Sequence, residues 1–313
     1  MNSYESKFKG ENCLVTGGAG FIGSNLSRHL ARIGANVKVL DNFSTGRKEN
    51  VSDFQDLGIV LVDSDISDQK NTETFFSDVD FVFHQAAVPS VPRSLAEPML
   101  TNNSNVRGTL SVLENSRLSG VKKVVYAASS SAYGDTETLP KSEMMLPSPL
   151  SPYAVQKLAG EMYCKTYFDN YKLPTTSLRY FNVYGPSQDP DSEYSAVIPI
   201  FIKKALKDDD ITIFGDGTTS RDFTFIDDVI QANLRAALYS ESNGSVINVA
   251  YGQKFTLNQL ADIIIKKIGS KSSIVYEPFR KGDVLHSLAD LSEATRLIGY
   301  NPQFDLSSGL ERT

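Results

Sequence analysis

Tyr153 and Lys157 stand four residues apart in the run Ser151-Pro152-Tyr153-Ala154-Val155-Gln156-Lys157, at the front of a helix-forming stretch. Residues i and i+4 share one face of an α-helix, so a phenol and an ammonium group can point into one pocket. A nearby cation favours the phenolate and lowers the pKa of Tyr153, which makes the phenol usable as a base near neutral pH. Tyr and Lys are also common on exposed helix faces, so the pair gains weight from its company. That company begins with three hydroxyls, Ser129-Ser130-Ser131, ahead of Ala132-Tyr133-Gly134. In an extended chain Ser129 and Ser131 fall on one side and Ser130 on the other. A plain serine-rich turn is the alternative.

These groups need elements to position them and a partner for their chemistry. Asn12 to Thr16 is a short apolar run, as a buried parallel strand would be, and it stops at Gly17-Gly18-Ala19-Gly20-Phe21-Ile22-Gly23. A helical pattern follows from Ser24 to Ile33, with Leu26, Leu30 and Ile33 on one face. Glycines at 17, 20 and 23 let the backbone turn tightly, approach a pyrophosphate and pack the helix on the sheet, while the helix N-terminus offers free N–H groups. A second strand, Asn36 to Leu40, ends in Asp41, 18 residues past Gly23. An acid there accepts hydrogen bonds from the adenosine ribose hydroxyls and repels a 2′-phosphate, which selects NAD over NADP. Asn42 to Gly46, with Ser44 and Thr45, is then the loop around that ribose.

Further strands are expected at Ile59 to Val62, leading into Asp65-Ile66, and at Val79 to His84, leading into Gln85-Ala86-Ala87. Small residues there let a cofactor lie over the sheet edge, or simply pack helix on sheet. A helix at Asn105 to Ser119, a fifth strand at Lys123 to Ala127, a sixth at Pro174 to Val183 and a helix at Tyr194 to Lys207 continue the alternation. The pattern predicts an α/β fold with a doubly wound parallel (Rossmann) sheet, and ligands then bind outside the carboxyl ends of its strands.

Composition narrows the function classes. A net charge of -6 argues against nucleic acid as a partner, and no apolar run approaches the ~20 residues of a membrane span. Two distant cysteines, Cys13 and Cys164, form neither a disulfide framework nor a metal spacing. His29, His84 and His286 are scattered, so a metal site is not expected. The polar start, Met1 to Gly10, lacks a signal peptide's apolar block, and the chain reads as cytoplasmic.

The glycine turn Thr16 to Gly23, the serines before Tyr133-Gly134, and Tyr153 with Lys157 resemble the extended short-chain dehydrogenase/reductase superfamily. Within it the chain is similar to the nucleotide-sugar 4-epimerases of the UDP-glucose/UDP-N-acetylglucosamine type, from about Lys9 onward. The resemblance implies Ser129, Tyr153 and Lys157 as catalytic residues, with Tyr180 beside the nicotinamide and Val183 also binding the cofactor. It implies a UDP-sugar site from Pro89, Ser90, Ser129, Ser130, Asn182, Gln188, Ala196, Val197, Thr212, Phe214 and Ser287, with Arg221, Arg280 and Asp283 nearer the nucleotide. Arg221 suits a diphosphate, its planar fork matching phosphate oxygens, and a structural Arg–Asp pair is the rival reading. Dehydratases and decarboxylases of the superfamily carry an acid after the serine or one position on, where this chain has Ser130 and Ser131. Small Ser287 replaces a bulky tyrosine of enzymes restricted to plain hexoses, which leaves room for a 2-acetamido group.

The expected activity is therefore NAD-dependent 4-epimerisation of UDP-GlcNAc/UDP-GalNAc, with UDP-Glc/UDP-Gal also accepted, through a transient 4-keto sugar. A UDP-glucuronate 4-epimerase or other UDP-sugar-modifying enzyme of the same superfamily is one alternative, and a non-catalytic NAD-sensing scaffold is another. Residues 1–182 plus 223–251 are expected to form the NAD domain, and 183–222 plus 252–313 the UDP-sugar domain. Family members dimerise through helices matching Asn105 to Ser119 and Tyr153 to Asn170, so a homodimer is expected. Relatives usually continue past Thr313, so either the terminal helix is short or the chain is clipped.

Overall fold

The computed structural model describes residues 3–190, 196–279 and 284–313. The first half runs β1 (Asn12–Thr16), α1 (Phe21–Arg32), β2 (Asn36–Asp41), β3 (Val60–Asp63), α2 (Gln69–Thr72), β4 (Phe81–His84), α3 (Val91–Ala96), α4 (Pro98–Asn102), α5 (Gly108–Leu118) and β5 (Lys123–Ser129). Next come α6 (Pro152–Tyr171), β6 (Thr175–Tyr180), β7 (Val183–Tyr184), α7 (Val197–Ala205), β8 (Ile211–Phe214), β9 (Ser220–Asp222), β10 (Thr224–Phe225) and α8 (Ile226–Leu238). After these lie β11 (Ser245–Val249), β12 (Lys254–Thr256), α9 (Leu257–Ile268), β13 (Ile274–Glu277), α10 (Ser292–Ile298) and α11 (Leu306–Arg312).

Seven strands in the order β11-β6-β5-β4-β1-β2-β3 make one sheet, and every ladder in it is parallel. This is the doubly wound sheet that the alternating pattern predicts. Successive side chains of a strand point to opposite faces, and both faces here are buried. Cys13 and Val15 of β1 face the cluster built with Leu26 and Leu30 of α1 and Val229 and Leu234 of α8. Leu14 faces the other way, toward Val112 and Leu113 of α5 and Cys164 and Tyr167 of α6. Strand order reverses between β1 and β4, so their carboxyl ends diverge into a crevice.

Three expected elements differ in extent. The sixth strand stops at Tyr180, because Asn182 turns the chain at φ 34°, and β7 then pairs with β10 outside the main sheet. The helix expected from Asn105 begins as a wide turn over Asn103–Arg107 before α5. There the Asn105 side chain accepts from Val88 N–H at 2.7 Å and donates to Gln156 at 2.8 Å, which ties the segment to α6. The helix expected from Tyr194 is seen from Val197, its first residues lying outside the described ones. Two further small ladders, β9 with β12 and β8 with β13, stand apart from the main sheet, and α7 packs on α9. Among the described residues no helix is long and apolar enough to cross a membrane, and no group of His, Cys, Asp and Glu could hold a metal.

Candidate active site

At the end of β1, Gly17 takes φ 73° and donates its N–H to Leu40 O at 2.7 Å. A Cβ on Gly17 would stand 2.6 Å from Ala86, and one on Gly23 would stand 2.2 Å from Gly17 O. Both positions therefore exclude side chains and bring helix, turn and β4 edge together. The first turn of α1 has no side-chain cap, which leaves its amides for an anion. Asp41 is 8% exposed and accepts from Ala19 N–H and Phe43 N–H, both at 2.8 Å. Burial pushes its carboxyl up and these two amides oppose the shift. The cradle fits a dinucleotide: no side chain intrudes on the turn, and the acid is fixed by backbone at the end of β2.

The hydroxyl group set sits across the crevice. Ser129 ends β5, and its Oγ accepts from Ser131 N–H at 3.2 Å and from Ser131 Oγ at 2.9 Å. The chain turns there into a tight helix, so the simple alternation of the three serines does not hold: Ser129 and Ser130 both line the cleft. Ser151 caps α6 by accepting Ala154 N–H at 3.2 Å, with Pro152 in the first turn, where its missing N–H costs nothing. This start presents Tyr153 and Lys157 to the cleft, and Tyr153 N–H donates to Ser94 Oγ at 3.1 Å. The Ser129 side chain is near enough to the Tyr153 phenol to pull its pKa down.

The expected effect of Lys157 on Tyr153 is not what the protein shows. Burial pushes the Tyr153 phenol up, and the Ser129 hydrogen bond is what pulls against it. Lys157 instead donates to Ala127 O at 2.8 Å, and burial brings its ammonium down to about 8. Desolvation penalises both charged forms, and it sets the direction of the shift at both groups.

Neighbouring strand ends hold the remaining predicted residues. His84 lies between Thr16 Oγ1 at 2.7 Å and Thr109 Oγ1 at 2.9 Å, and burial lowers it to about 3, so it is a neutral tie. Gln85 donates to the Tyr180 hydroxyl at 3.1 Å, and Asn233 Nδ2 donates to it at 2.9 Å. Gly17, Gly20, Phe21, Ile22, Gly23, Asp41, Asn42, Ser44, Thr45, Asp65, Ile66, Gln85, Ala86, Ala87, Tyr180 and Val183 line one cleft of about 1020 Å³ with Ser129, Tyr153 and Lys157. Pro89, Ser90, Ser130, Asn182, Gln188 and Ala196 line it too.

Several predicted residues stand back from that lining. Gly46 packs behind it, where a Cβ would come 2.8 Å from Asp41. Val197 opens α7, and Thr212 and Phe214 are on β8, with Thr212 Oγ1 accepting from Lys204 at 2.9 Å. Arg221 donates to Ser220 O at 3.0 Å and Leu285 O at 3.1 Å. Its neighbour Asp222, wholly buried, accepts backbone N–H groups of Tyr251, Gly252 and Ala289, each at 3.1 Å. Ser287 accepts from Asn182 Nδ2 at 3.2 Å and from Asp222 N–H at 3.4 Å, so it supports Asn182 from beneath. Arg280 and Asp283 lie outside the described residues.

The cleft also takes in residues that carried no signal in the sequence. Asn50 donates to Ala19 O at 3.0 Å and so buttresses the glycine turn. Arg47 reaches Asp189 at 2.9 Å, and Arg93 reaches Glu97 at 3.0 Å. Arg47 directly follows the ribose loop, and Arg93 and Glu97 have the i,i+4 spacing of a helix pair; none of this marks a site in a linear reading.

Residues 13–250 match the NAD dependent epimerase/dehydratase family. A putative UDP-glucose 4-epimerase of Methanocaldococcus jannaschii is 40% identical over 301 residues, covering 96% of each chain. The UDP-glucose 4-epimerase of Thermotoga maritima, solved with UDP-glucose, superposes with a TM-score of 0.91 at 38% identity, over 96% of this chain and 97% of that one. A UDP-N-acetylglucosamine 4-epimerase of Methanobrevibacter ruminantium, solved with UDP-N-acetylmuramic acid, also gives 0.91 at 38% identity, over 97% and 98%.

Proposed function

This chain belongs to the NAD-dependent epimerase/dehydratase family and is an NAD-dependent UDP-sugar 4-epimerase, and from that premise we propose that it interconverts UDP-GlcNAc and UDP-GalNAc, with UDP-Glc and UDP-Gal as further substrates. The observation that carries the mechanism is that Ser129, Tyr153 and Lys157 line the same cleft as the glycine turn and Asp41, with Ser129 near enough to favour the Tyr153 phenolate. Bound in the cleft, NAD supplies the oxidation and re-reduction of the sugar at C4. Tyr153 takes the proton of the 4-hydroxyl and returns it after the 4-keto sugar has turned over. Ser129 steadies that proton, and Lys157 keeps a positive charge beside the phenolate. Contacts to the nucleotide, for which Arg221, Arg280 and Asp283 are our candidates, hold the sugar while it turns, so remote binding energy serves orientation.

The acetylated substrate is supported by Ser287, whose small side chain lies under Asn182. A uronate would call for unpaired positive charge near C6. The two arginines among the described lining residues, Arg47 and Arg93, face Asp189 and Glu97. Residues 1–182 plus 223–251 act as the NAD lobe and 183–222 plus 252–313 as the UDP-sugar lobe. The enzyme works in the cytoplasm, a reading supported by two buried free cysteines. It works as a homodimer through the outer faces of α5 and α6, where Leu118, Val155 and Met162 are more than half exposed.

Separate incubations with UDP-GlcNAc, UDP-Glc and UDP-GlcA, with epimer ratios read by NMR, test the reading. UDP-GlcNAc should turn over fastest. Preference for UDP-GlcA would overturn the substrate assignment, and no turnover of any UDP-sugar would leave the NAD-sensing scaffold.

A further inference from the structure

Lys157 is 4% exposed, and Ala127 O takes one of its N–H groups. A buried ammonium sheds its proton unless negative charge faces it. The groups around it are these. His84 of β4 is neutral, Tyr126 of β5 lies 5.1 Å beneath the ammonium as an un-ionised ring, and Cys164 of α6 is a buried thiol pushed up to about 12. Tyr153 precedes it by one turn of α6, and Ser129 lines the same cleft. Glu161 follows it by one turn, on the same helix face.

Glu161 has a counterpart on its far side. Arg179 of β6 donates Nε to Oε1 at 2.9 Å and Nη2 to Oε2 at 2.7 Å, with both side chains at most 4% exposed. The Arg179 guanidinium lies 4.6 Å over the ring of Tyr133, whose hydroxyl donates to Asn248 at 2.7 Å. Burial alone would push Glu161 toward its neutral form, and the two-pronged contact pulls it back. Lys157 lies one turn ahead of the carboxylate of this pair on α6, and Glu161 raises the lysine's affinity for its proton, opposing burial.

We propose that Glu161, clamped by Arg179, is a positioning residue that supplies the counter-charge of Lys157 and so keeps its ammonium beside Tyr153 throughout the cycle. The proposal rests on the reading of Tyr153 and Lys157 as the reacting pair. When NAD is bound in its oxidised form, Lys157 shares the cleft with a second positive charge, and an anion behind it is what offsets their repulsion. Arg179 is needed because a lone carboxylate at this depth would take up the proton itself. A pair that merely tied α6 to β6 would have no such effect, since buried ion pairs can be exchanged for packed apolar side chains with little loss of stability.

The test is a ¹⁵N-lysine NMR titration of the full chain as purified, with Lys157 Nζ assigned by its loss in Lys157→Arg. In the double variant E161M/R179M, Lys157 should release its proton at least about one pH unit lower than in the parent, a tenfold change in its acidity. In active enzyme the alkaline limb of kcat should move the same way with KM for the UDP-sugar unchanged. An unmoved Lys157 titration overturns the proposal. Should the double variant not fold, ¹³C-glutamate labelling of the parent replaces it: Glu161 Cδ must inflect where Lys157 loses its proton, and a flat trace there overturns the proposal. Neither titration needs turnover. Failed epimerisation with the coupling intact would therefore sink the functional reading alone.

Discussion

Arg47 and Asp189 form an ion pair of 2.9 Å between the loop that follows β2 and the one that follows β7. The pair lies at the rim of the cleft, and Asn25 makes a second tie nearby, donating to Pro186 O at 2.9 Å. Its two side chains are 41% and 32% exposed, so water and salt screen it. Exposed pairs of this kind contribute about 0.2–1 kcal/mol. Arg47→Ala should therefore speed NAD release by no more than about fivefold at low salt, and by nothing measurable near 1 M salt. Stopped-flow release of NAD checks this, and equal release rates for variant and parent at low salt would remove the pair from cofactor retention.

Tyr153→Phe keeps the ring and removes the hydroxyl that we assign as the base. Loss of a positioned acid–base group costs about 10²- to 10⁴-fold in rate. We expect kcat to fall by that much with KM for the UDP-sugar changed less than about twofold. Near-normal turnover would mean that another group handles the proton.

His84 makes stability depend on pH in a definite sense. Burial lowers it from 6.5 to about 3, so the folded state resists a proton that the unfolded chain accepts. Its contribution is full above pH 6.5 and drains away as pH falls toward 3, by up to about 1.4 kcal/mol per pH unit. His84→Gln cannot titrate, so its loss of stability on acidification should be shallower by about one proton. Urea unfolding of parent and variant from pH 7 to 4 gives the difference, and parallel curves would show that His84 is not a source of the slope.

Met162 projects from α6 at 59% exposure, on the outer face where we place the dimer contact. A charge at the centre of an apolar contact leaves a desolvated ion without a partner. Met162→Lys should yield monomers in light scattering, with the fold intact by circular dichroism. A parent that is already monomeric, or a variant that stays dimeric, would move the contact elsewhere.

Much of the architecture was legible in the linear chain. Apolar runs of strand length between helical patterns announce a parallel sheet, because both of its faces must be covered. The glycine turn was legible for a steric reason: at Gly17 and Gly23 any Cβ would strike backbone. Less visible were the limits of elements, such as β6 stopping at Tyr180, since that depends on β7 finding β10 as its partner.

By itself the sequence determined the cofactor cradle and the Tyr153–Lys157 face of α6, because helix period, strand alternation and glycine sterics act between close neighbours. The tertiary structure alone decided how those groups are charged. It bonded Lys157 to Ala127 O, placed Arg179 behind Glu161, and set Ser287 under Asn182. Desolvation and ion pairing depend on what surrounds a group in space, and those surroundings come from segments far apart in the chain.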